Sequence, residues 1–120
     1  MAYTISEFAE RTGISAYTIR YYEKEGLLSC IERKNGRRVF KDEDFFTINV
    51  IIHLKNIGMS IKDIRTYLDL YRQAKDTSEQ RQAIILRQKK SLEEKIFSLK
   101  NKLQILQSGE MYYQKMIEFN

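Results

Sequence analysis

Apolar residues return every three or four positions through most of the chain, the spacing of helices that bury one stripe. Ile5, Phe8 and Ala9 mark the first stripe, which Thr4 and Glu7 open at capping-box spacing and which runs to about residue 12. "TGIS" follows as a tight turn. Ser15 can then cap a second helix, with Ile14 and Ile19 spaced as a hydrophobic staple and Gly26 placed to end it. Two short helices around a Gly-containing turn predict a helix-turn-helix. The pattern changes at residues 31–40, "IERKNGRRVF", where Asn-Gly between two short segments predicts a two-residue hairpin, a wing. Asp42, Glu43 and Asp44 then suit a helix start, and Phe45, Ile48, Ile51, Ile52 and Leu54 carry that helix toward Gly58. Ser60 with Asp63 opens another, whose apolar residues are Ile61, Ile64, Tyr67, Leu68 and Tyr71.

The last third has a seven-residue rhythm instead. Ile85, Leu92, Ile96, Leu99, Leu103 and Leu106 form a coiled-coil seam, while Gln82 and Lys89 are polar residues in the same register that weaken it locally and can fix orientation. A stripe of about thirty residues is better buried by a second copy than by the chain's own short helices, which predicts a homodimer. Ser108-Gly109 is expected to stop the helix, leaving "EMYYQKMIEF" as a short amphipathic tail. The expected fold is mainly α: a winged helix-turn-helix over residues 1–75, a dimerisation helix over 76–108 and a helical tail over 109–120.

Charge and composition add a partner to this outline. The 120 residues carry a formal charge of +5 and a pI near 9.3, which suits an anionic partner such as nucleic acid. The wing is the densest source of that charge: Arg33, Lys34, Arg37, Arg38 and Lys41 stand against Glu32 alone. One cysteine, Cys30, forms no internal disulfide, and with one histidine, His53, the soft ligands are too few for a structural zinc site. No motif for a metal or an organic cofactor is present. The same scarcity of nucleophile, base and glycine-rich phosphate loop argues against an enzyme. "MAYTISEF" lacks the basic start and apolar run of a signal peptide, and no apolar stretch approaches the roughly 20 residues that span a bilayer. These features predict a cytoplasmic, nucleoid-associated protein without a membrane partner.

On a helical wheel the second helix divides. Ile19 faces inward, whereas Tyr17, Arg20, Tyr21 and Lys24 recur on the other side, with Thr18 beside them in the candidate DNA-contact set. Arginine can pair bidentately with guanine or hold a phosphate, and a tyrosine can donate to phosphate while its ring meets a sugar or a thymine methyl. Tyr22 lies about 60° from Ile19, so its ring belongs at the edge of the core with its hydroxyl directed outward.

"YTISEFAERTGISAYTIRYYEKEGLL", "NGRRVFKDEDF" and "IIHLKNIGMSIKDI", in that order and spacing from Tyr3 to about Tyr71, resemble the MerR family of bacterial transcription regulators. The resemblance implies a homodimer joined by an antiparallel coiled coil. It also implies binding to an inverted repeat in double-stranded promoter DNA whose two elements lie too far apart. Distortion of that DNA would let RNA polymerase, an indirect partner, engage both elements. It assigns Arg20, Tyr21 and Tyr22 to bases and backbone, and Arg37 and Arg38 to phosphates; Arg33 joins the candidate DNA-contact set through the charge of the wing. Phe40 is in the candidate DNA-contact set by position, but it stands where many members have tyrosine and lacks the hydroxyl, so ring packing is its expected role. Lys55 and Tyr67 fall where the second helix pair approaches the backbone.

Metal-sensing members carry cysteines at the start of the dimer helix and after it, where this sequence has none, and drug-sensing members carry a large C-terminal domain. The short tail is most similar to the thiol- or aldehyde-responsive branch, in which a cysteine often precedes "LKNIGMS"; here that place is His53. Cys30, between recognition helix and wing, is the candidate redox sensor. Two other readings stay open on the residues alone, a non-specific nucleoid binder and a coiled-coil adaptor.

Overall fold

The computed structural model of the chain describes residues 1–28 and 31–120. Cys30, the candidate redox sensor, lies outside them. The elements run β1 (Ala2–Tyr3), α1 (Ile5–Thr12), α2 (Ala16–Lys24), β2 (Glu32–Lys34), β3 (Arg37–Lys41), α3 (Asp42–Asn56), α4 (Ile61–Tyr71) and α5 (Ser78–Glu118). They fall into two units, Met1–Arg81 and Gln82–Asn120.

In the first unit the helix starts follow from local hydrogen bonding. The Glu7 N–H donates to Thr4 Oγ1 at 3.2 Å while the Thr4 N–H donates to the Glu7 carboxylate at 3.0 Å, closing the expected capping box. Ser15 accepts from the Thr18 N–H and Ser60 from the Asp63 N–H, each at 3.1 Å, a cap whose loss costs about 1 kcal/mol. Gly26, at φ 79°, ends α2 by letting the Leu27 N–H turn back to the Tyr22 carbonyl. Asn35 (φ 53°) and Gly36 (φ 77°) are both left-handed, as a tight hairpin turn requires, and they set the register Arg33 opposite Arg38 and Lys34 opposite Arg37.

The sheet has a third strand that the sequence pattern does not announce. β1 pairs antiparallel with β3, Tyr3 opposite Phe40, giving the order β1-β3-β2. Around that pairing an aromatic cluster ties sheet to helices: Phe8 stacks on Phe40 with centroids 4.4 Å apart, and Phe45 meets both Phe8 and Tyr3. Phe40 is 0% exposed. Its place among the contact residues is therefore corrected to the core, in keeping with the ring-packing role expected where the hydroxyl is missing. Ile19, Leu27, Leu28, Ile48, Ile51, Ile64 and Leu68 complete the buried interior. Arg72 at the end of α4 donates to the Leu27 carbonyl at 2.6 Å, fixing the chain that leaves α2.

α5 departs from expectation at its far end. It runs unbroken for 41 residues, about 60 Å at 1.5 Å per residue, straight through Ser108 and Gly109. Those two residues cost a helix only about 1 kcal/mol or less each, and no proline follows to stop propagation. Helix formers such as Glu110, Met111, Gln114 and Lys115 resume at once. The six seam residues Ile85, Leu92, Ile96, Leu99, Leu103 and Leu106 are all exposed, whereas Ile84, outside the seam, is buried.

Candidate nucleic-acid interface

α2 presents its outward stripe as the wheel requires. Tyr17 is 80% exposed, Tyr21 is 40% exposed, and Arg20 and Lys24 are open to solvent. Tyr22 is only 7% exposed, with its ring 5.9 Å from that of Tyr21. The two neighbouring tyrosines thus split between core and surface, yet their rings support one another. Burial, and then the neighbouring Tyr21, push the Tyr22 phenol above its ordinary value, so it remains a hydrogen-bond donor at neutral pH. Thr18 is half-buried and its hydroxyl accepts from Ser15 at 2.9 Å, which makes it part of the cap more than of the open stripe.

The wing supplies further cations, but not all are equally available. Arg33, Lys34 and Arg37 are exposed. Arg38 is half-buried and its Nε donates to both oxygens of Glu23 on α2, at 3.1 and 3.0 Å. A terminal nitrogen of Arg33 reaches the same carboxylate at 3.5 Å. Lys41 pairs with Glu32 at 2.6 Å; the hydrogen bond holds the Glu32 carboxyl below its usual range and the Lys41 ammonium above its own. The cations with the freest reach are therefore Arg20, Lys24, Lys34 and Arg37. Arg37 and Arg38 also line a shallow recess with Thr4, Ile5, Ser6 and Gly36, where the start of α1 meets the wing.

Glu23 joins the wing to α2, and no sequence motif marks it. The available signal was an acid three residues after Arg20, at the edge of an otherwise cationic stripe. Lys34, part of the wing's charge but outside the candidate contact set, is exposed like Arg37. Lys55 is exposed on α3. Tyr67 is half-buried and lines a groove between α3 and α4 with Phe46, Val50, Leu68 and Tyr71. No hydrogen bond among the described residues brings either one to α2 or the wing. Among the described residues there is no group of three or more His, Cys, Asp or Glu that could hold a metal ion. No helix is long and apolar enough to cross a membrane.

Two family models match the chain: "MerR HTH family regulatory protein" over residues 3–70 and "MerR, DNA binding" over residues 47–108. An uncharacterised helix-turn-helix transcriptional regulator of Haemophilus influenzae is 40% identical over 116 residues, covering 96% of this chain and 86% of the relative. The regulator AdhR of Bacillus subtilis is 35% identical over 89 residues, 73% of this chain but only 64% of AdhR. Among solved structures, HiNmlR, a MerR family regulator lacking the sensor domain and bound to promoter DNA, matches with a TM-score of 0.68 at 40% identity. That match covers 96% of this chain and 92% of HiNmlR.

Proposed function

Because the chain belongs to the MerR family of helix-turn-helix regulatory proteins, we propose that it is a homodimeric transcriptional regulator that binds an inverted repeat in a long-spaced promoter and distorts the duplex. The observation that carries the reading is the exposed stripe Tyr17, Arg20, Tyr21 and Lys24 on a capped helix, linked through Glu23 to a basic wing. One element of this kind fits the major groove and the other reaches flanking phosphates. HiNmlR, similar over nearly the whole chain, is itself bound to promoter DNA. The exposed seam of α5 supports the dimer, since six large aliphatic residues in heptad register need a cover. Two copies reading one duplex require a repeated half-site, and a flexible spacer between the half-sites is where bending or untwisting concentrates. RNA polymerase enters as the indirect partner that reads the distorted promoter.

The test is a fluorescence-anisotropy titration of the full-length protein against a duplex selected from a random pool and against a scrambled control. If Lys24, Lys34 and Arg37 of two copies each neutralise a phosphate while Arg20 reads a base, log affinity falls against log salt with a slope of about −5. Preference for an inverted repeat, with two chains per duplex, supports the reading. Equal affinity for both duplexes identifies a non-specific binder, and no binding at low salt removes the DNA function. Circular permutation of the selected site reads the distortion; a mobility independent of site position rejects it.

A further inference from the structure

A carboxylate on a face that meets DNA repels phosphate, and Glu23 stands three residues from Arg20 on such a helix. Its surroundings give it another task. Arg33 and Arg38 face each other across the wing strands, and both converge on the one Glu23 side chain. The bonds from Arg38 run through Nε alone, so its terminal N–H groups have no partner among the described residues. A two-stranded ribbon is marginally ordered by itself, and this wing is anchored at its base by Phe40 stacked on Phe8. Farther along, the pairs with Glu23 join both strands to α2. The Glu23 side chain is 21% exposed and that of Arg38 24%, so water weakens this link less than it does a surface pair such as Lys41 with Glu32.

We propose that Glu23 is a positioning residue for DNA recognition: it holds the wing guanidinium groups in register with Arg20, so that helix and wing land on one duplex together. The inference rests on the DNA reading given above. It also explains why a repulsive charge is kept at the interface, because the carboxylate is neutralised by the arginines it aims.

Positioning and simple repulsion predict opposite signs. If Glu23 only repels phosphate, Glu23→Ala and Glu23→Gln bind every duplex more tightly. If it positions the wing, both variants lose about tenfold in affinity for the selected duplex while binding to the scrambled duplex stays level or rises. Glu23→Gln keeps the side-chain volume and guards against a general loss of fold, which the thermal midpoint monitors. A readout without DNA separates this idea from the DNA reading: amide hydrogen exchange in the free full-length protein. Faster exchange at residues 32–41 in Glu23→Ala, with α1 and α4 unchanged, is expected. Unaltered wing protection, or parallel tightening on both duplexes, overturns the proposal even if the unaltered protein binds DNA as described. Failure of the unaltered protein to bind any duplex rejects the DNA reading and, with it, this role.

Discussion

Replacing Phe40 by alanine separates a core role from a DNA-contact role at one position. The ring is fully buried, stacked on Phe8 at an interplanar angle of 9°, and sits in the strand that pairs with both β1 and β2. Burying such a ring contributes roughly 1.5–3 kcal/mol through area alone, and the aromatic pair adds about 0.5–1.5 kcal/mol. The cavity left behind raises the expected cost of Phe40→Ala to about 3–5 kcal/mol. A loss of that size is a large share of the roughly 5–15 kcal/mol that stabilises a typical domain. Native-state hydrogen exchange at the amides of α1, α2 and β3 is the suitable assay, because circular dichroism would be dominated by α5 whereas exchange reads each amide separately. Opening free energies should fall together at Phe8, Ile19 and Val39. A drop below about 1 kcal/mol would show that the stack does not hold the wing base. Unchanged protection with lost DNA binding would return Phe40 to the interface.

Other substitutions probe separate links of the argument. Arg20→Ala should cost about 1–3 kcal/mol on the selected duplex and little on scrambled DNA, whereas Lys34→Ala should weaken both alike and lower the salt slope by about 1 per copy. Equal effects from the two variants would argue against base reading by Arg20. Leu99→Lys changes a residue that is exposed in the single chain, so α5 should stay helical while sedimentation equilibrium shows monomers; an undiminished dimer would sink the seam. Asp42 is held below its ordinary carboxylate value of 3.8 by the Tyr3 hydroxyl at 2.8 Å, with help from the N-terminal ammonium and Arg11. A depressed folded value means that this stabilisation is complete above the ordinary value and is lost as pH falls through the lowered one. Asp42→Asn should therefore flatten the acid limb of the thermal midpoint against pH below about 4, and an unchanged limb would show that the interaction does not couple to folding.

What could be read from the sequence was what the chain settles within a few residues. Thr4 with Glu7, Ser15, Ser60 and Asn35-Gly36 each act on neighbours close in sequence, and each forms the bond or turn that its spacing announces. The two-residue strand Ala2–Tyr3 has no period to detect; only its pairing with β3 defines it. Phe40 alternates with Val39 and Lys41 as any strand residue would, and nothing local shows that Phe8 lies against it. Ser108-Gly109 failed as a stop because weak breakers without a left-handed cap or a proline yield to a helix already propagating. Glu23 was hidden for a further reason. Its meaning depends on a hairpin register that brings Arg33 and Arg38 side by side fifteen or fewer residues later in sequence.

The tyrosine pair on α2 divides between the core and the surface of one small helix. A helix of nine residues does not persist alone in water, so its shape comes from the Ser15 cap and from burial of Ile19 and Tyr22. Once those are fixed, Arg20 and Tyr21 are presented at little further entropic cost, because the backbone beneath them is already ordered. Tyr22 then acts at the boundary: its buried ring orders the helix while its contact with Tyr21 restrains the more exposed ring. Affinity on this surface should therefore respond to changes in the seat as well as in the reading stripe. On the proposed DNA reading, Ile19→Ala should lose DNA binding together with stability, whereas Arg20→Ala should lose binding and leave the fold intact. Stability and binding measured on the same variants can tell these apart.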